Sequence, residues 1–442
     1  MIFFLLLVSI LPLQQHPLWS QFAGEMTIVH YVGAVCLLYA ILYRIARGSV
    51  PRYLGTWSAR LYLLFFAFVL ISYVDGGAPF SWSSSPVITQ ASFLLLFLLV
   101  PAVVDTVKRL RWTLLVSIGS MGWASLYVIR EWQKARGWET GMRPGWVVGD
   151  SNYFGISAVL VIPLAWYISQ DKRPFLERVF CLGCMVLTLA ATLLGGSRGG
   201  FLGLIAALVV VSLHSRKRVR NLTLASVVLV VFNVVYPYSP LHRFLHPNAG
   251  DKLSQTAHEA QYHAAAGMIR DHPLAGIGLG NFQATMLRYV PRDYSGPAHI
   301  AHNAYLSVAT EMGIPAFLVF VALLVSTLVS MERLRLMRSA PALVLQAALG
   351  LQAGLCGAMV SIGFVHALDQ KQVWLTIFLS QCVSLLARKV PDGGSGVHRA
   401  KKRLAAAALT RGVPRSSYFT RGRVSIPPGY SIATPCECAD RN

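Results

Sequence analysis

The sequence predicts an all-α polytopic membrane protein of about 12 transmembrane helices, with a large loop between helices 9 and 10. The 442-residue chain is 55% hydrophobic and only 13% charged, which is unlike an ordinary soluble domain. Apolar runs recur along almost its whole length, and several reach the roughly 20 residues that a helix needs to cross hydrocarbon. The runs are 2–18, 27–43, 61–74, 87–104, 112–129, 147–168, 179–194, 200–213, 222–236, 306–330, 342–363 and 372–387.

The first run is strongly apolar only over Met1–Leu13. It lacks the basic start and the small-residue cleavage site of a signal peptide, so we interpret it as a helix.

Lysine and arginine positions orient these helices, because cationic loops stay on the inner side of a membrane. Alternate loops carry the cations, which predicts that both termini lie inside and that the 237–303 loop lies outside. One outer segment departs from this pattern, and we interpret it as an anion-binding site. Its four cations are Arg130, Lys134, Arg136 and Arg143.

The domain organisation follows from the distribution of the +21 net charge. Residues 1–390 form one transmembrane domain, whereas 391–442 form a tail that is rich in Gly, Pro and Ser. Eleven of the 39 Lys and Arg residues lie after Ala387. The tail is predicted to be disordered and to rest on anionic membrane lipid. No folded element for reading nucleic acid is visible, so no nucleic-acid partner is expected. Cys181 and Cys184 have redox-like spacing without a second pair, and we interpret them as packing residues.

Charged residues near the membrane gather at the outer ends of the predicted helices, whereas helix interiors are almost free of charge. A transporter would need ionisable groups near the midplane. Snorkelling explains single cations at helix ends, but not carboxylates and arginines together. The distribution indicates an outward-facing site at the interface. The residues are Arg130, Asp150, Arg198, Glu311, Asp369 and Lys371.

Arg198 lies in the glycine-rich turn 195–202 before a predicted helix. Glycines allow a ligand to approach the backbone, and the free amides of a helix start favour an anion. A guanidinium can hold a phosphate through two parallel hydrogen bonds. The pattern fits a membrane-borne diphosphate, and the alternative is a tight turn with an exposed arginine.

His302 closes the outer loop, in the motif His302-Asn303-Ala304-Tyr305-Leu306. A neutral imidazole at the membrane surface can act as a general base on a lipid-linked substrate, and the alternative is a histidine that caps a helix. Within the loop, a helix is predicted from Ser254 or Thr256 to about Ile269, with one alanine-rich face on the membrane domain. Gly276, Gly278 and Gly280 then predict a tight return of the chain.

Four stretches resemble the O-antigen ligase and polymerase superfamily of bacterial envelope enzymes. Residues 149–152 are similar to its acidic-Asn helix start, and 197–202 to its Arg-x3-Leu motif. Residues 268–282 are similar to its loop signature, and His302-Asn303-x2-Leu306-x6-Gly313 to its histidine motif. The resemblance covers about residues 60–390.

This resemblance implies about twelve helices in the bacterial inner membrane, a periplasmic loop, and glycan transfer from an undecaprenyl-diphosphate carrier to an acceptor hydroxyl. It implies that His302 deprotonates the hydroxyl and that Arg198 holds the diphosphate, without a metal or cofactor. Family members often carry Arg and Trp where His258 and Tyr262 align, so another residue must supply the second phosphate contact. Candidates are Arg270, Arg288 and Arg143, with His299, Asp150, Asn303 and Glu311 as secondary site residues.

The acceptor stays open at this point: lipid A core, a growing polysaccharide, or a protein hydroxyl in an O-oligosaccharyltransferase. Two other classes also remain, a flippase or transporter of lipid-linked sugars and a non-catalytic membrane scaffold. A flippase is expected to line a central cavity with cations, whereas this sequence gathers them at one face.

Overall fold

A computed structural model describes residues 1–13, 28–47, 52–77, 85–145, 150–170, 174–215, 217–247, 249–337 and 340–388. These residues form helices and connecting turns, without any β-strand. The helices are α1 (Ile2–Ile10), α2 (Ile28–Arg47), α3 (Trp57–Gly76), α4 (Pro86–Val103), α5 (Val107–Lys134), α6 (Gly137–Thr140), α7 (Ser151–Ser169), α8 (Phe175–Leu194), α9 (Arg198–Leu213), α10 (Arg218–Val235), α11 (Pro240–Leu245), α12 (Ala249–Asp271), α13 (Phe282–Met286), α14 (Ala304–Arg335), α15 (Ala342–Ser361) and α16 (Lys371–Arg388).

Eight helical segments of the described chain are long and apolar enough to cross a membrane. The all-helical membrane class is thereby supported, whereas the count of twelve spans stays a prediction. Ile2–Leu13 and Arg198–Leu213 are apolar but shorter. The eight are Trp57–Gly76, Pro86–Val103, Val107–Lys134, Ser151–Ser169, Phe175–Leu194, Arg218–Val235, Ala304–Arg335 and Ala342–Phe364.

Helix α16 matches the last predicted run but is outside these eight, and its environment explains its polar residues. It is buried along nearly its whole length, and its polar side chains face other helices. Ser384, for example, hydrogen-bonds Ser330 of α14 across 2.8 Å. Such polar contacts are common between helices inside membrane proteins.

Close packing of α7, α9 and α15 forms the centre of the bundle, because glycines let their backbones approach. A Cβ on Gly350 would lie 2.7 Å from the Leu164 Cα, and one on Gly354 would lie 2.6 Å from the Leu160 carbonyl oxygen. A Cβ on Gly200 would lie 3.0 Å from the Cα of Gly155. Small residues are the usual means of such close helix contacts in membranes. The starts of α7 and α9 are therefore held side by side.

Two predicted boundaries differ from the structure. Helix α5 continues to Lys134, so Arg130 and Lys134 belong to its last turns and not to a loop. Its 28 residues span about 42 Å, which exceeds a hydrocarbon core of roughly 30 Å. Helix α12 begins at Ala249, before the predicted caps Ser254 and Thr256. Its first turn contains Asp251, which is buried and paired with Arg243, and a carboxylate is favourable at a helix start.

The predicted apolar face of α12 exists, and it packs first within the loop itself. Ala260, Ala264, Ala265 and Met268 are buried with Phe282 and Met286 of α13 and with Ala301. The helix also contacts α14. The 236–303 segment is therefore a small helical unit, and we call the end of the bundle where it lies the loop end.

The glycine-rich return of the chain crosses α14 where that helix is broken. Gly313 has φ +83° and ψ 169°, and a Cβ there would overlap the carbonyl of Leu274. The break exposes two carbonyls of α14, which accept hydrogen bonds from loop amides: Ile277 N to Thr310 O at 2.9 Å and Gly278 N to Glu311 O at 3.0 Å. Gly313, seven residues after Leu306 in the histidine motif, thus allows the loop to dock on the bundle.

Candidate active site

A cavity of about 540 Å³ lies at the loop end, between the starts of α7 and α9 and the loop helices α11 and α12. This volume is within the range of small-molecule sites. Three guanidinium groups line one part of the cavity, and one face of α12 forms another wall. The lining residues are Arg143, Asn152, Arg198, Gly199, Arg243, Phe244, Gly250, Asp251, Ser254, Gln255, His258, Glu259, Tyr262 and Phe364.

Arg198 begins α9, and the turn before it is fixed by Ser197. The Ser197 Oγ accepts a hydrogen bond from Gly200 N at 3.1 Å and donates one to Asn152 Oδ1 at 2.8 Å. The Arg198 guanidinium lies 5.6 Å from the Phe244 ring centroid, in cation–π geometry. The arginine therefore faces the cavity from a capped helix start, where unpaired backbone amides also favour an anion.

Arg143 and the turn before Arg198 both hydrogen-bond Asn152, at the start of α7. The Arg143 Nη2 donates to Asn152 Oδ1 at 3.0 Å, the same oxygen that Ser197 binds. Asp150 caps α7 by accepting from Asn152 N at 2.6 Å and Tyr153 N at 2.9 Å. Desolvation by the surrounding protein, followed by the Arg243 charge, lowers the pKa of Arg143 to about 10. The side chain faces the cavity and remains a cation near neutral pH.

Arg243 is the functional candidate that the sequence did not single out. Its Nη1 donates to the Gly196 carbonyl at 2.8 Å, and its guanidinium pairs with the fully buried Asp251. It lies on α11, a short helix between Pro240 and Pro247. The prolines of this segment indicated a simple connection rather than a helix. The only signal in the sequence was an arginine beside a histidine-rich turn, followed eight residues later by Asp251.

Two predicted phosphate contacts lie away from this wall. Arg270 and Arg288 are exposed, and neither lines the cavity. Arg270 follows the cavity residue His258 by twelve residues on the same helix, a separation of about 18 Å along the axis.

His302 lies immediately behind the α12 wall. Its backbone N–H donates to Gln261 Oε1 at 3.1 Å. Asn303 caps α14, and its Oδ1 accepts from Tyr305 N at 2.9 Å and Leu306 N at 3.1 Å. The His258 ring, which lines the cavity, meets the His302 ring edge-on at 5.5 Å between centroids, and the His299 ring lies 6.4 Å away. Capping is thus the task of Asn303, and the imidazole of His302 is not needed for it.

The surroundings favour the neutral form of His302 and His258. Burial and then the charge of His299 lower the pKa of His302, while the nearby Asp150 carboxylate opposes this shift. Burial and then His302 lower the pKa of His258 to about 4. A neutral imidazole has a lone pair that can accept a proton.

Glu311, a secondary candidate, serves the loop in this structure. It is buried and accepts hydrogen bonds from Gly280 N at 3.0 Å and Phe282 N at 3.3 Å. These contacts hold α13 against α14.

A further polar group lies on the other side of His302. The Nδ1 of His366 is 2.9 Å from the Ser307 Oγ on α14, and its charge also lowers the pKa of His302. The neighbouring Asp369 has its pKa raised by burial. Sequence reasoning noted Asp369 as a charge at a helix end but did not connect it with His366.

Within the described residues, no group of three or more His, Cys, Asp or Glu side chains has an arrangement that could hold a metal ion. Cys181 is buried, and Cys184 packs against Gly122 of α5, in agreement with a packing role.

One family model matches part of the chain. Residues 183–321 match the family model described as O-antigen ligase, while no curated protein matches the chain. The matched segment contains Arg198, Arg243, the whole loop and His302. This part of the chain is therefore similar to the O-antigen ligase family.

Proposed function

We propose that the chain transfers a glycan from an undecaprenyl-diphosphate carrier to an acceptor hydroxyl at the periplasmic face of the bacterial inner membrane. The observation that supports this most is that guanidinium and imidazole side chains lie close together at the loop end. Three guanidinium groups line a cavity, and His258, which also lines it, contacts the ring of His302.

The cationic wall suits a diphosphate. Arg143, Arg198 and Arg243 approach the same space from three separate elements, so several phosphate oxygens can be bound at once. Arginine pairs are strong phosphate ligands because two N–H groups donate in parallel. In this proposal Arg243 supplies the second contact that the family places on the loop helix, with Arg143 beside it.

The neighbouring imidazoles of His258 and His302 suit proton abstraction. The acceptor oxygen forms a bond to the anomeric carbon of the donor while the bond from that carbon to the phosphate oxygen breaks. His302 takes the proton of the attacking hydroxyl, and the diphosphate leaves with the bonding electron pair. Its growing negative charge is stabilised by the arginines, which are already in position before reaction.

The charge distribution supports the orientation. The Lys and Arg residues of the loops opposite the loop end would face the cytoplasm under the positive-inside rule. The cavity, its arginines and His302 would then face the periplasm, where lipid-linked glycans meet acceptors.

The proposal can be tested by incubating purified protein with undecaprenyl-diphosphate oligosaccharide and candidate acceptors. We expect release of undecaprenyl diphosphate together with glycosylation of one acceptor class: lipid A core, a carrier-linked glycan or a protein. Absence of release with every acceptor, combined with movement of the same donor across vesicles that contain the protein, would instead establish a flippase.

A further inference from the structure

One face of α12 forms a wall of the cavity, and it carries side chains that differ from the arginines in charge. Gln255, Glu259 and Tyr262 recur at spacings of four and three, so their side chains lie along one stripe of the helix. All three line the cavity. The stripe thus presents an amide, a carboxylate and an aromatic ring to the same space.

These three side chains are free to bind a ligand. Across the part of the chain that the structure describes, none of them forms a hydrogen bond, an ion pair or a ring contact. Tyr262 is 43% exposed, which is a large exposure for an aromatic side chain in a cavity wall. The neighbouring acid Asp251, in contrast, is fully buried against Arg243.

The two walls differ in charge, and this restricts what can occupy each. A carboxylate at Glu259 repels phosphate, so the diphosphate belongs against Arg143, Arg198 and Arg243. Beside Glu259 a ligand needs hydroxyl donors, which a carboxylate accepts and an amide such as Gln255 can both accept and donate to. The Tyr262 ring offers a flat apolar face of the kind that packs on the C–H face of a sugar ring.

We propose that Gln255, Glu259 and Tyr262 form a sugar-recognition subsite that selects the donor by the first sugar ring bonded to the diphosphate. This inference rests on the proposed function. The cavity, at about 540 Å³, has room for a diphosphate and an attached ring between the two walls. Specificity for the first sugar is then set by α12, while the arginines bind the diphosphate of any donor.

The test uses purified full-length protein and polyprenyl-diphosphate donors that share the lipid and the diphosphate but lack one hydroxyl of the first sugar. For the parent protein, removing the hydroxyl that Glu259 binds should raise KM about tenfold, because hydrogen bonds to charged groups are strong. In Glu259→Gln the normal donor should show a similar rise in KM, and the penalty for that deoxy donor should largely disappear. Tyr262→Ala should raise KM for every sugar donor.

Two controls separate recognition from folding. Glu259→Gln should bind sugar-free polyprenyl diphosphate as the parent does, whereas Arg198→Ala should lose that binding. Glu139→Gln, which removes an exposed carboxylate outside the cavity, should leave KM unchanged for all donors.

A Glu259→Gln protein with parental KM and parental discrimination among all deoxy donors would overturn the subsite, while transfer by the parent would leave the proposed function standing. Failure of the parent to transfer any donor would instead overturn the proposed function.

Discussion

At the residue scale, the imidazole of His302 is not needed to cap α14. Its backbone amide binds Gln261, and Asn303 carries the capping hydrogen bonds. Replacing the ring therefore removes chemistry with little loss of structure. We expect His302→Ala to lower transfer by about 10²–10⁴-fold, the usual effect of losing a general base.

The matched control for this variant is His263→Ala. His263 lies on exposed α12 surface and contacts the Tyr289 carbonyl at 2.9 Å, away from the cavity. It should keep parental turnover. Near-normal turnover of His302→Ala, measured as carrier diphosphate release, would contradict the general-base role.

The pH dependence follows from the environment of His302. Burial lowers its pKa below the ordinary value of a histidine, so the neutral base predominates at pH 7 and is lost as pH falls through the lowered pKa. Asp150 raises this pKa and His299 lowers it. The acid limb of kcat/KM should therefore move to lower pH in Asp150→Asn and to higher pH in His299→Ala. Shifts in the same direction for both variants would refute the assignment of that limb to His302.

Substitutions of Arg198 separate the effect of its two parallel N–H donors from the effect of its positive charge. Lysine keeps the positive charge but loses the two parallel donors, so Arg198→Lys should be impaired, though less than Arg198→Ala. Binding of sugar-free polyprenyl diphosphate reports this directly. Equal affinity of the Lys variant and the parent would mean that only charge matters at this position.

At the element scale, the docking of the loop on α14 depends on the break at Gly313. Alanine there would adopt a left-handed backbone conformation and overlap the Leu274 carbonyl. We expect Gly313→Ala to destabilise the protein by roughly 1–3 kcal/mol, seen as a lower Tm in detergent, and to reduce transfer by displacing His302.

Gly183→Ala is the control substitution for Gly313→Ala. Gly183 lies inside α8 with nothing near its Cβ position. Alanine should therefore leave Tm unchanged or raise it slightly, because alanine favours helix. Equal Tm values for the two variants would show that the loop does not require the break.

The elements also show where sequence reasoning succeeded. The 3.6-residue period predicts an apolar face on α12, and Ala260, Ala264, Ala265 and Met268 of that face are buried. The start of the helix was missed because Ser254 and Thr256 look like caps, whereas Asp251 and its pairing with Arg243 fix an earlier start. A local capping pattern was outweighed by a tertiary ion pair.

At the scale of the whole molecule, the orientation in the membrane makes a separate prediction. In a chain without its seven native cysteines, single cysteines at the exposed positions Gln283 and Arg292 should react with an impermeant maleimide in cells whose outer membrane is permeabilised. A cysteine at Lys217 should not react, because loops rich in Lys and Arg stay in the cytoplasm. Reversed labelling would overturn the periplasmic site.

The sequence by itself indicated the membrane class and the similarity to the O-antigen ligase family. Backbone hydrogen bonds of a membrane helix are satisfied within the helix, so length and hydropathy suffice to recognise it. The glycine and histidine motifs were also readable, because each lies within one short segment. Arg198 and His302 could be singled out for this reason.

Only the tertiary structure decided which cations share a cavity. Arg143, Arg198 and Arg243 are separated by 45 or more residues in sequence, and they meet because α7 and α9 pack through glycines and α11 folds over them. Arg270 and Arg288 looked equally suitable in sequence, yet they lie on exposed surface outside the cavity. Side-chain position in this site depends on how helices pack across the chain, and no local pattern encodes that packing.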